Sequence, residues 1–403
     1  MASVAASILA VVTLAGCSSA SDEGGDASAS PAATGSTGGA AGDDSASPAA
    51  TASTGAADAA AEWNARVEEL FAGVGFEPPT PGSPPAPTGK NVWWIAQGLG
   101  ADAQVEAAAA MEEVGEKLGW EVTVFDGQFE SSTALNGIEQ AIAAKADGIL
   151  LWAIDCSSVQ TGLQAAKDAN VPTIGIEGLD CDPGLFSHSV AYGPAPGRDT
   201  IEQWRAWGAT QATMAIARTN AQAKVLLISE TDLAITRAIT EGWKATLAEC
   251  ETCEITAEVE FVASDFGPAL QTKIEQALIQ NPTVNALIPA YDAVMTSGGS
   301  TAVLASGRQD EIFVMGGEGS APGMEQIREG TGMQACSGLE SAYEAYAGVD
   351  ALIWILGGKD PSGTTNGQGF QLCDKDTNMP VSGSYKASFP FRDYYYEYWG
   401  IQP

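Results

Sequence analysis

From Lys90 onward the chain alternates apolar runs of four to six residues with segments of helical spacing. Apolar runs of this length are typical of strands buried on both faces, and their alternation with helices predicts a parallel sheet covered on both sides. The first set of predicted strands is Val92–Ala96, Val122–Phe125, Ile149–Trp152 and Thr173–Ile176, with helices near Gln104–Leu118, Ala134–Ala144 and Val159–Ala169.

A second set of the same kind follows a long predicted helix at Asp199–Thr219. Its strands are predicted at Val225–Ile228, Ile255–Phe261, Ala286–Pro289, Ile312–Met315 and Met333–Ala335, with helices near Ala234–Leu247, Pro268–Gln280 and Gly299–Ser306. Two such sets in about 310 residues predict an α/β protein with two doubly wound, Rossmann-like domains. Ligands bind outside the carboxyl ends of such strands, so two facing domains would form a cleft lined by both.

The first 17 residues have the features of an export signal. Their apolar run, Val4–Leu14, is too short to span a bilayer and ends in small residues. Leu14–Cys17 matches a bacterial lipobox, which predicts lipidation of Cys17 and anchoring at the outer face of the cytoplasmic membrane. Met1–Ser3 provides no Lys or Arg for the usual positive start. The alternative is that Cys17 is an ordinary thiol in a disordered leader.

Residues 18–89 are predicted to form a tether. Ser18–Gly55 consists almost entirely of Ser, Ala, Gly, Thr, Pro and Asp, so it cannot bury a core. A flexible chain of 38 residues spans roughly 35 Å. Trp63 and Val67 fall at helical spacing with the apolar residues that follow, which predicts a short amphipathic helix near 57–71. The prolines between Pro78 and Pro87 predict an extended linker.

The acidic charge limits the possible partners. The formal net charge is −33, from 18 basic and 51 acidic residues, and no basic stripe is present. This excludes nucleic acid and anionic lipid surfaces as expected partners, so membrane contact is expected through the lipid anchor only. A solvated acidic surface is the simplest explanation of the charge.

Six cysteines remain when Cys17 is set aside, and an even number in an exported chain predicts three disulfides from fifteen possible pairings. Sequence proximity and strand order favour the pairs Cys156–Cys181, Cys250–Cys253 and Cys336–Cys373. The Cys250–Cys253 spacing also fits a redox pair or half a zinc site. A redox pair is activated at a helix N-terminus, whereas this one follows a predicted helix end. Zinc would need more ligands than His188, the only histidine, so neither a metal nor another cofactor is expected.

Several short patterns together carry a family resemblance. They are Gly115, Leu118 and Gly119, Ala144–Ile149, Asn170–Pro172, Glu241–Trp243, Tyr291–Asp292 and Gly316–Gly319. In this order, Lys90 to about Gly358 resembles the type I periplasmic binding proteins of the ribose and galactose kind, the solute-binding lipoproteins of bacterial ABC importers. The resemblance implies a monomer that is not an enzyme. It would capture a small polar solute, a sugar or polyol, and deliver it to an ABC permease and its ATPase.

The resemblance also implies a division into two lobes joined by a hinge of three crossovers. The first lobe would contain residues 90–193 plus 340–372, and the second 194–339 plus 373–403. The Cys336–Cys373 pair would then tie two crossovers together. The aromatic tail from Ser384 to the end of the chain is expected to pack over the second lobe or the hinge.

Family positions at the strand ends give a candidate ligand-binding set. It comprises Gln97, Asp102, Gln104, Trp152, Asp155, Glu177, Arg237, Phe266, Tyr291, Asp292, Glu318 and Glu340. Carboxylates and aromatic rings suit a polyol, because each buried hydroxyl needs a new hydrogen-bond partner. The chain departs from the family at Ala103, Ala153 and Ile239, which favours a solute other than ribose. Trp152 and Phe266 could instead be core residues, and Asp102 and Glu318 could be helix caps.

Other functions remain open at this point. No GxSxG, P-loop or HExxH pattern is present, which argues against an enzyme. Glu177 and Asp292 could form the carboxylate pair of a glycosidase, a remote alternative. A ligand-sensing lipoprotein of the same fold, or an importer component for a nucleoside or aromatic solute, would share every feature above.

Overall fold

The computed structural model describes residues 48–193 and 200–402. Cys17 and the predicted signal peptide therefore lie outside the described residues, as do residues 18–47 of the predicted tether. The first described element is helix α1 (Pro48–Ala72), which begins earlier than the predicted start at residue 57. Its first half is rich in Ala, the strongest helix former, and Pro is favoured at a helix start. The last part of the predicted Ser18–Gly55 tether is thus helical.

The first lobe is a five-stranded parallel sheet in the order β2-β1-β3-β4-β5. Its elements in chain order are β1 (Asn91–Ala96), α2 (Asp102–Leu118), β2 (Glu121–Asp126), α3 (Ser131–Ala143), β3 (Gly148–Trp152), α4 (Cys156–Asp168), β4 (Thr173–Ile176) and β5 (His188–Ser189). Strands β3 and β4 are buried at every position, which explains their continuous apolar runs in the sequence. The predicted helices and strands of this lobe are all present.

The second lobe is a four-stranded parallel sheet in the order β7-β6-β8-β9. Its elements are α5 (Thr200–Arg218), β6 (Lys224–Glu230), α6 (Ala234–Ala248), β7 (Glu254–Phe261), α7 (Pro268–Gln280), β8 (Ala286–Pro289), α8 (Asp292–Val294), α9 (Ser300–Ala305), β9 (Phe313–Val314) and α10 (Ala321–Glu329). A wide helical turn at Met295–Gly299 joins α8 to α9. The predicted strand at Met333–Ala335 is shifted, because only Ala335 bridges to Met315 at the sheet edge.

Crossing strands connect the lobes. Strand β10 (Ala335–Gly338) leads into α11 (Ser341–Leu356), which packs on α2 and β4 of the first lobe. Strand β11 (Gln371–Asp374) then pairs with β10 in antiparallel register. The remaining crossover includes residues 194–199, which lie outside the described ranges. The α/β class and two doubly wound sheets predicted from sequence are confirmed.

The C-terminal tail contradicts one expectation. Helix α12 (Phe391–Trp399) lies on α11, which belongs to the first lobe. The Trp399 ring stacks on Tyr346 with 5.6 Å between ring centroids, and its Nε1 donates to Asp350 at 2.8 Å. The predicted placement of residues 373–403 in the second lobe is therefore wrong for this helix. Before α12 the tail also touches the hinge, where the Tyr385 amide donates to the Gly319 carbonyl at 2.7 Å.

The proline-rich segment is extended, as predicted, but it is not a free linker. The Glu77 amide donates to the Gly367 carbonyl, and the Thr80 amide donates to the Thr365 carbonyl, both at 3.0 Å. Helix α1 ahead of it packs against α5 of the second lobe. Trp63 of α1 is buried. From Trp63 onward, the predicted tether therefore packs against the rest of the protein.

The three predicted disulfides, Cys156–Cys181, Cys250–Cys253 and Cys336–Cys373, are all present. Cys336 and Cys373 lie directly opposite each other in the β10–β11 pair, so this disulfide joins two crossovers. Among the described helices, none is both long and apolar enough to cross a membrane.

Candidate functional site

A cavity lies between the two lobes at the carboxyl ends of both sheets. Its volume is about 70 Å³, so its walls lie close together. The first lobe contributes Gln97, Ala101, Ala103, Gln104, Trp152, Ala153 and Glu177 to its wall, and the second contributes Trp204, Trp207, Glu230, Leu233, Ile235, Thr236, Ile239, Ala290 and Tyr291. Glu318, Leu339 and Ser341 complete the wall near the crossovers.

Half of the predicted ligand set lines this cavity. These residues are Gln97, Gln104, Trp152, Glu177, Tyr291 and Glu318. Gln104 is almost fully buried, and it accepts a hydrogen bond from the Gly98 amide at 2.9 Å while donating to Gln97 at 3.3 Å. These hydrogen bonds hold the loop after β1 in place and keep Gln97 at the cavity.

The strand ends of the first lobe carry backbone strain. Ala153, just after β3, has φ of 55°, and Glu177, just after β4, has φ of 59°. Non-glycine residues rarely adopt this left-handed conformation, and such strain concentrates at functional sites. Burial raises the pKa of the Glu177 carboxyl to about 7, although the neighbouring polar groups of Glu344 and Trp152 oppose the shift.

Three prominent cavity residues were not predicted. Trp204 and Trp207 come from α5, and Glu230 is the last residue of β6. Glu230 follows the rule that ligands bind at the carboxyl ends of strands, so that rule would have found it. Trp204 and Trp207 follow the first crossover in a helix, and helical spacing alone does not distinguish a cavity wall from a core.

Three other predicted residues form contacts between the lobes. Asp155 accepts hydrogen bonds from the amides of Leu179 at 2.8 Å and Ala234 at 2.9 Å, so it caps α6 from the opposite lobe. Thr296 donates to Asp102 at 3.4 Å. The Phe266 ring lies 5.3 Å from that of Phe129. These residues lie outside the cavity wall and hold its mouth together.

The last three predicted residues also lie outside the cavity, in other parts of the structure. Arg237 is exposed and donates to the Thr231 carbonyl at 2.8 Å. Asp292 is fully buried behind the cavity, where it accepts hydrogen bonds from the loop that follows β9. Glu340 accepts a hydrogen bond from Arg392 at 2.8 Å and thereby fixes the tail.

The cavity is acidic and aromatic. Burial raises the pKa of Glu230 well above its usual value, and the nearby charge of Asp232 adds to this effect. Burial likewise raises the pKa of Glu318, with Asp292 as the next cause. Glu344, just behind the wall, has its pKa raised by burial and then by the charge of Glu177. Burial, and after it the charge of neighbouring carboxylates, disfavours the ionised forms of these groups.

The described residues offer no metal site in this cleft. Within residues 48–193 and 200–402, the only cluster with metal-ligand spacing is Cys156, Asp180 and Cys181. Both of its sulfurs are already joined in a disulfide, so they cannot act as thiolate ligands.

Comparison with known proteins identifies the architecture. Residues 86–360 match the sequence model of a family described as periplasmic binding protein domain. The chain belongs to this family. Membership implies a location outside the cytoplasm, and members are binding proteins of transport systems rather than enzymes. A search among curated proteins found no match.

Solved structures of periplasmic binding proteins share the fold. A periplasmic solute-binding protein of an ABC transporter from Actinobacillus succinogenes, bound to D-allose, matches with a TM-score of 0.62 and 17% identity, covering 71% of this chain and 98% of the other. One from Bacillus halodurans, bound to myo-inositol, matches with a TM-score of 0.60 and 17% identity over 72% and 96% of the two chains.

A third structure, a 5-methylthioribose transporter solute-binding protein from Thermotoga lettingae with 5-methylthioribose bound, has a TM-score of 0.62 and 14% identity, covering 72% of this chain and 87% of the other. At these identities the likeness shows the fold of type I periplasmic binding proteins. The predicted family and fold are thus confirmed.

Proposed function

We propose that this periplasmic binding protein captures a small polar solute in the interlobe cleft and delivers it to an ABC permease and its ATPase. The observation that carries the proposal is the cavity, which is lined by both lobes at the carboxyl ends of both sheets. The solutes named for two structural neighbours, D-allose and myo-inositol, support a sugar or polyol as the first class to test.

Binding would act by closing the cleft. The Asp155–Ala234 contact joins the lobes, and so does the hydrogen bond from the Ala321 amide to Glu106 at 2.9 Å. Both bonds cap helix N-termini with carboxylates from the opposite lobe, and both would break when the lobes separate. A solute that touches both lobes would shift the equilibrium toward this closed form, which then docks on the permease. No covalent bond is made or broken.

The same proposal includes anchoring through lipidated Cys17, with the protein acting as a monomer. Because Cys17 lies outside the described residues, the sequence alone supports this part. Expression of the wild type and of Cys17→Ala with a labelled fatty acid tests it. Label in the wild type alone, with the variant released from the membrane fraction, is the expected result. Equal release of both proteins would contradict it.

A thermal-shift screen tests solute capture. The purified protein is heated with sugars, polyols, nucleosides, amino acids and small aromatic acids. A bound solute at 100 times its dissociation constant should add roughly 2.7 kcal/mol of stability. Glu177→Gln should weaken binding of the solute found, because Glu177 lines the cavity. The control is Glu112→Gln, an exposed residue of α2. Equal binding by both variants would contradict the site.

Delivery to a permease needs a second experiment. A candidate ABC permease and its ATPase are reconstituted in liposomes, and ATP hydrolysis is measured with the protein, with and without solute. Stimulation that requires both is expected. Solute binding without stimulation would instead favour the sensing alternative.

A further inference from the structure

The charge of the cavity wall is one-sided. Glu177, Glu230 and Glu318 line it, and no Lys, Arg or His is among the described lining residues. Glu344, completely buried on α11, adds a fourth carboxyl group just behind Glu177. Buried charges are normally paired, because an unpaired ion in an apolar site is costly. The lining of the cleft therefore offers several carboxyl groups and no positively charged side chain that would stabilise their ionised forms.

Glu230 shows this most clearly. Its side chain is 1% exposed, and neither carboxylate oxygen has a hydrogen-bond partner of good geometry within the described parts of the chain. The polar side chains close enough to influence it are those of Asp232, Tyr291 and Thr236. A carboxylate that lines a cavity and lacks a partner is a vacant position for a donor brought by a ligand.

Aromatic rings surround the same space. Trp152, Trp204, Trp207 and Tyr291 all line the cavity. Trp204 and Trp207 pack edge to face, with 5.8 Å between their ring centroids. Aromatic rings attract cations through their negative faces, and this attraction is strongest for Trp and in desolvated sites. Rings and carboxylates together suit an ammonium group better than a neutral hydroxyl.

The acids of the cavity do not converge as a carboxylate metal site does. Among residues 48–193 and 200–402, no three acidic side chains of the cavity bring carboxylate oxygens within 4.8 Å of one another. A divalent ion held by carboxylates alone would need such convergence. An organic cation, which carries its charge on a larger molecule, does not need it.

We propose that the solute is an organic cation, a small molecule whose ammonium group binds among Glu177, Glu230 and Glu318. The inference rests on the proposed function and names its substrate class. An amino sugar and an aliphatic amine both carry this group, so the shared chemistry is the ammonium. The net charge of −33 would also concentrate such cations near the protein.

Matched pairs of solutes test the proposal by isothermal titration calorimetry at pH 7.5. The pairs are glucosamine and glucose, galactosamine and galactose, putrescine and 1,4-butanediol, and choline and 3,3-dimethylbutan-1-ol. We expect the ammonium member of at least one pair to bind with one-to-one stoichiometry, and its neutral counterpart to bind at least 100-fold more weakly. The pair that responds distinguishes an amino sugar from an aliphatic amine.

Variants connect the effect to the cleft. Glu230→Gln keeps the shape of the side chain and removes its charge, so we expect at least tenfold weaker binding of the cation. Glu112→Gln, on the exposed face of α2, should bind as the wild type does. If Glu230→Gln does not fold, as judged by circular dichroism, Glu318→Gln takes its place, with the same expected loss.

The outcomes separate the inference from the proposed function. Binding of a neutral sugar or polyol that equals or exceeds that of its ammonium counterpart overturns the inference and leaves solute capture intact. An affinity for the cation that Glu230→Gln does not change also overturns it. If no ammonium member binds at 10 mM while the broader screen finds a neutral solute, the inference is wrong. Silence in every screen overturns both proposals.

Discussion

Replacing Asp292 by alanine should destabilise the fold rather than simply remove a ligand contact. The side chain is 1% exposed. One oxygen, Oδ1, accepts a hydrogen bond from the Gly317 amide at 2.6 Å. The other, Oδ2, accepts from the amides of Gly319 at 3.0 Å and Ser320 at 2.6 Å, and from the Ser320 hydroxyl at 2.8 Å. Asp292 thus holds the loop between β9 and α10 against the start of α8.

The size of the effect follows from these bonds. Asp292→Ala leaves the buried amides of Gly317, Gly319 and Ser320 without their acceptor. Each lost partner costs roughly 1–3 kcal/mol, and partial relaxation of the loop reduces the sum to about 3–6 kcal/mol. Asp292→Asn keeps one acceptor oxygen in the position of Oδ2 and presents an amide group only to Gly317. Its cost should therefore be about 1–2 kcal/mol.

Urea unfolding followed by tryptophan fluorescence measures the difference, since the chain has 10 tryptophans. In a thermal scan of the same variants, the melting temperature of Asp292→Ala should be lower than that of the wild type by roughly 10 °C. Asp310→Ala is the control, because Asp310 is an exposed acid of the same lobe. The reasoning is refuted if Asp292→Ala unfolds at the urea concentration of the control. Loss of solute binding at unchanged stability would instead restore the ligand role predicted from sequence.

Three further predictions concern other parts of the molecule. Removing the Cys336–Cys373 disulfide by paired alanines should lower the free energy of urea unfolding by about 4 kcal/mol, and removing Cys250–Cys253 should lower it by about 1.5 kcal/mol. The two costs differ because the disulfides close sequence separations of 37 and 3 residues and so restrict the unfolded chain to different extents. Equal losses would contradict this. Burial raises the pKa of Glu177 above its unfolded value, so the ionised form is disfavoured only in the folded state, and stability falls as pH rises from 4.5 to about 7. The stability of Glu177→Gln relative to wild type should therefore rise by up to about 3 kcal/mol between pH 4.5 and 8. A stability difference that does not change with pH would argue against the shift. Trp399→Ala should cost about 3–5 kcal/mol, because the ring is 1% exposed and stacks on α11, and a loss below 1 kcal/mol would show that α12 is not part of the folded core.

Much of the fold could be predicted because its central strands are buried on both faces. The predicted strand Thr173–Ile176 coincides with β4 to the residue. Short edge strands gave no such signal, so β5 and β11 were not predicted. The tail was predicted to pack, but its aromatic pattern does not specify a partner. Only the structure shows that Trp399 meets Tyr346 of the first lobe.

The cleft was predicted less completely than the sheets. Sequence position after a strand predicts that a residue lies at the correct sheet edge, and Glu177 and Tyr291 satisfy this. It does not predict what the side chain meets there. Asp155 also follows a strand, yet it caps the amide of Ala234 across the cleft instead of lining the cavity. To predict that the tryptophans of α5 line the cavity, one would have to know how that helix packs after the first crossover.

Both chain ends add connections to the hinge beyond the three crossovers. Helix α1 packs on the second lobe and on β11. The segment after α1 pairs with residues 365–367 and then runs along the first lobe, where Lys359 donates to the Gly82 carbonyl at 2.9 Å. The tail touches Gly319 through Tyr385 and then returns to the first lobe as α12. Any opening of the cleft must therefore bend these two segments as well as the crossovers. Because both segments lie at the hinge, they restrict the angle between the lobes and leave the mouth of the cleft, held by Asp155 and Glu106, as the place where the lobes separate.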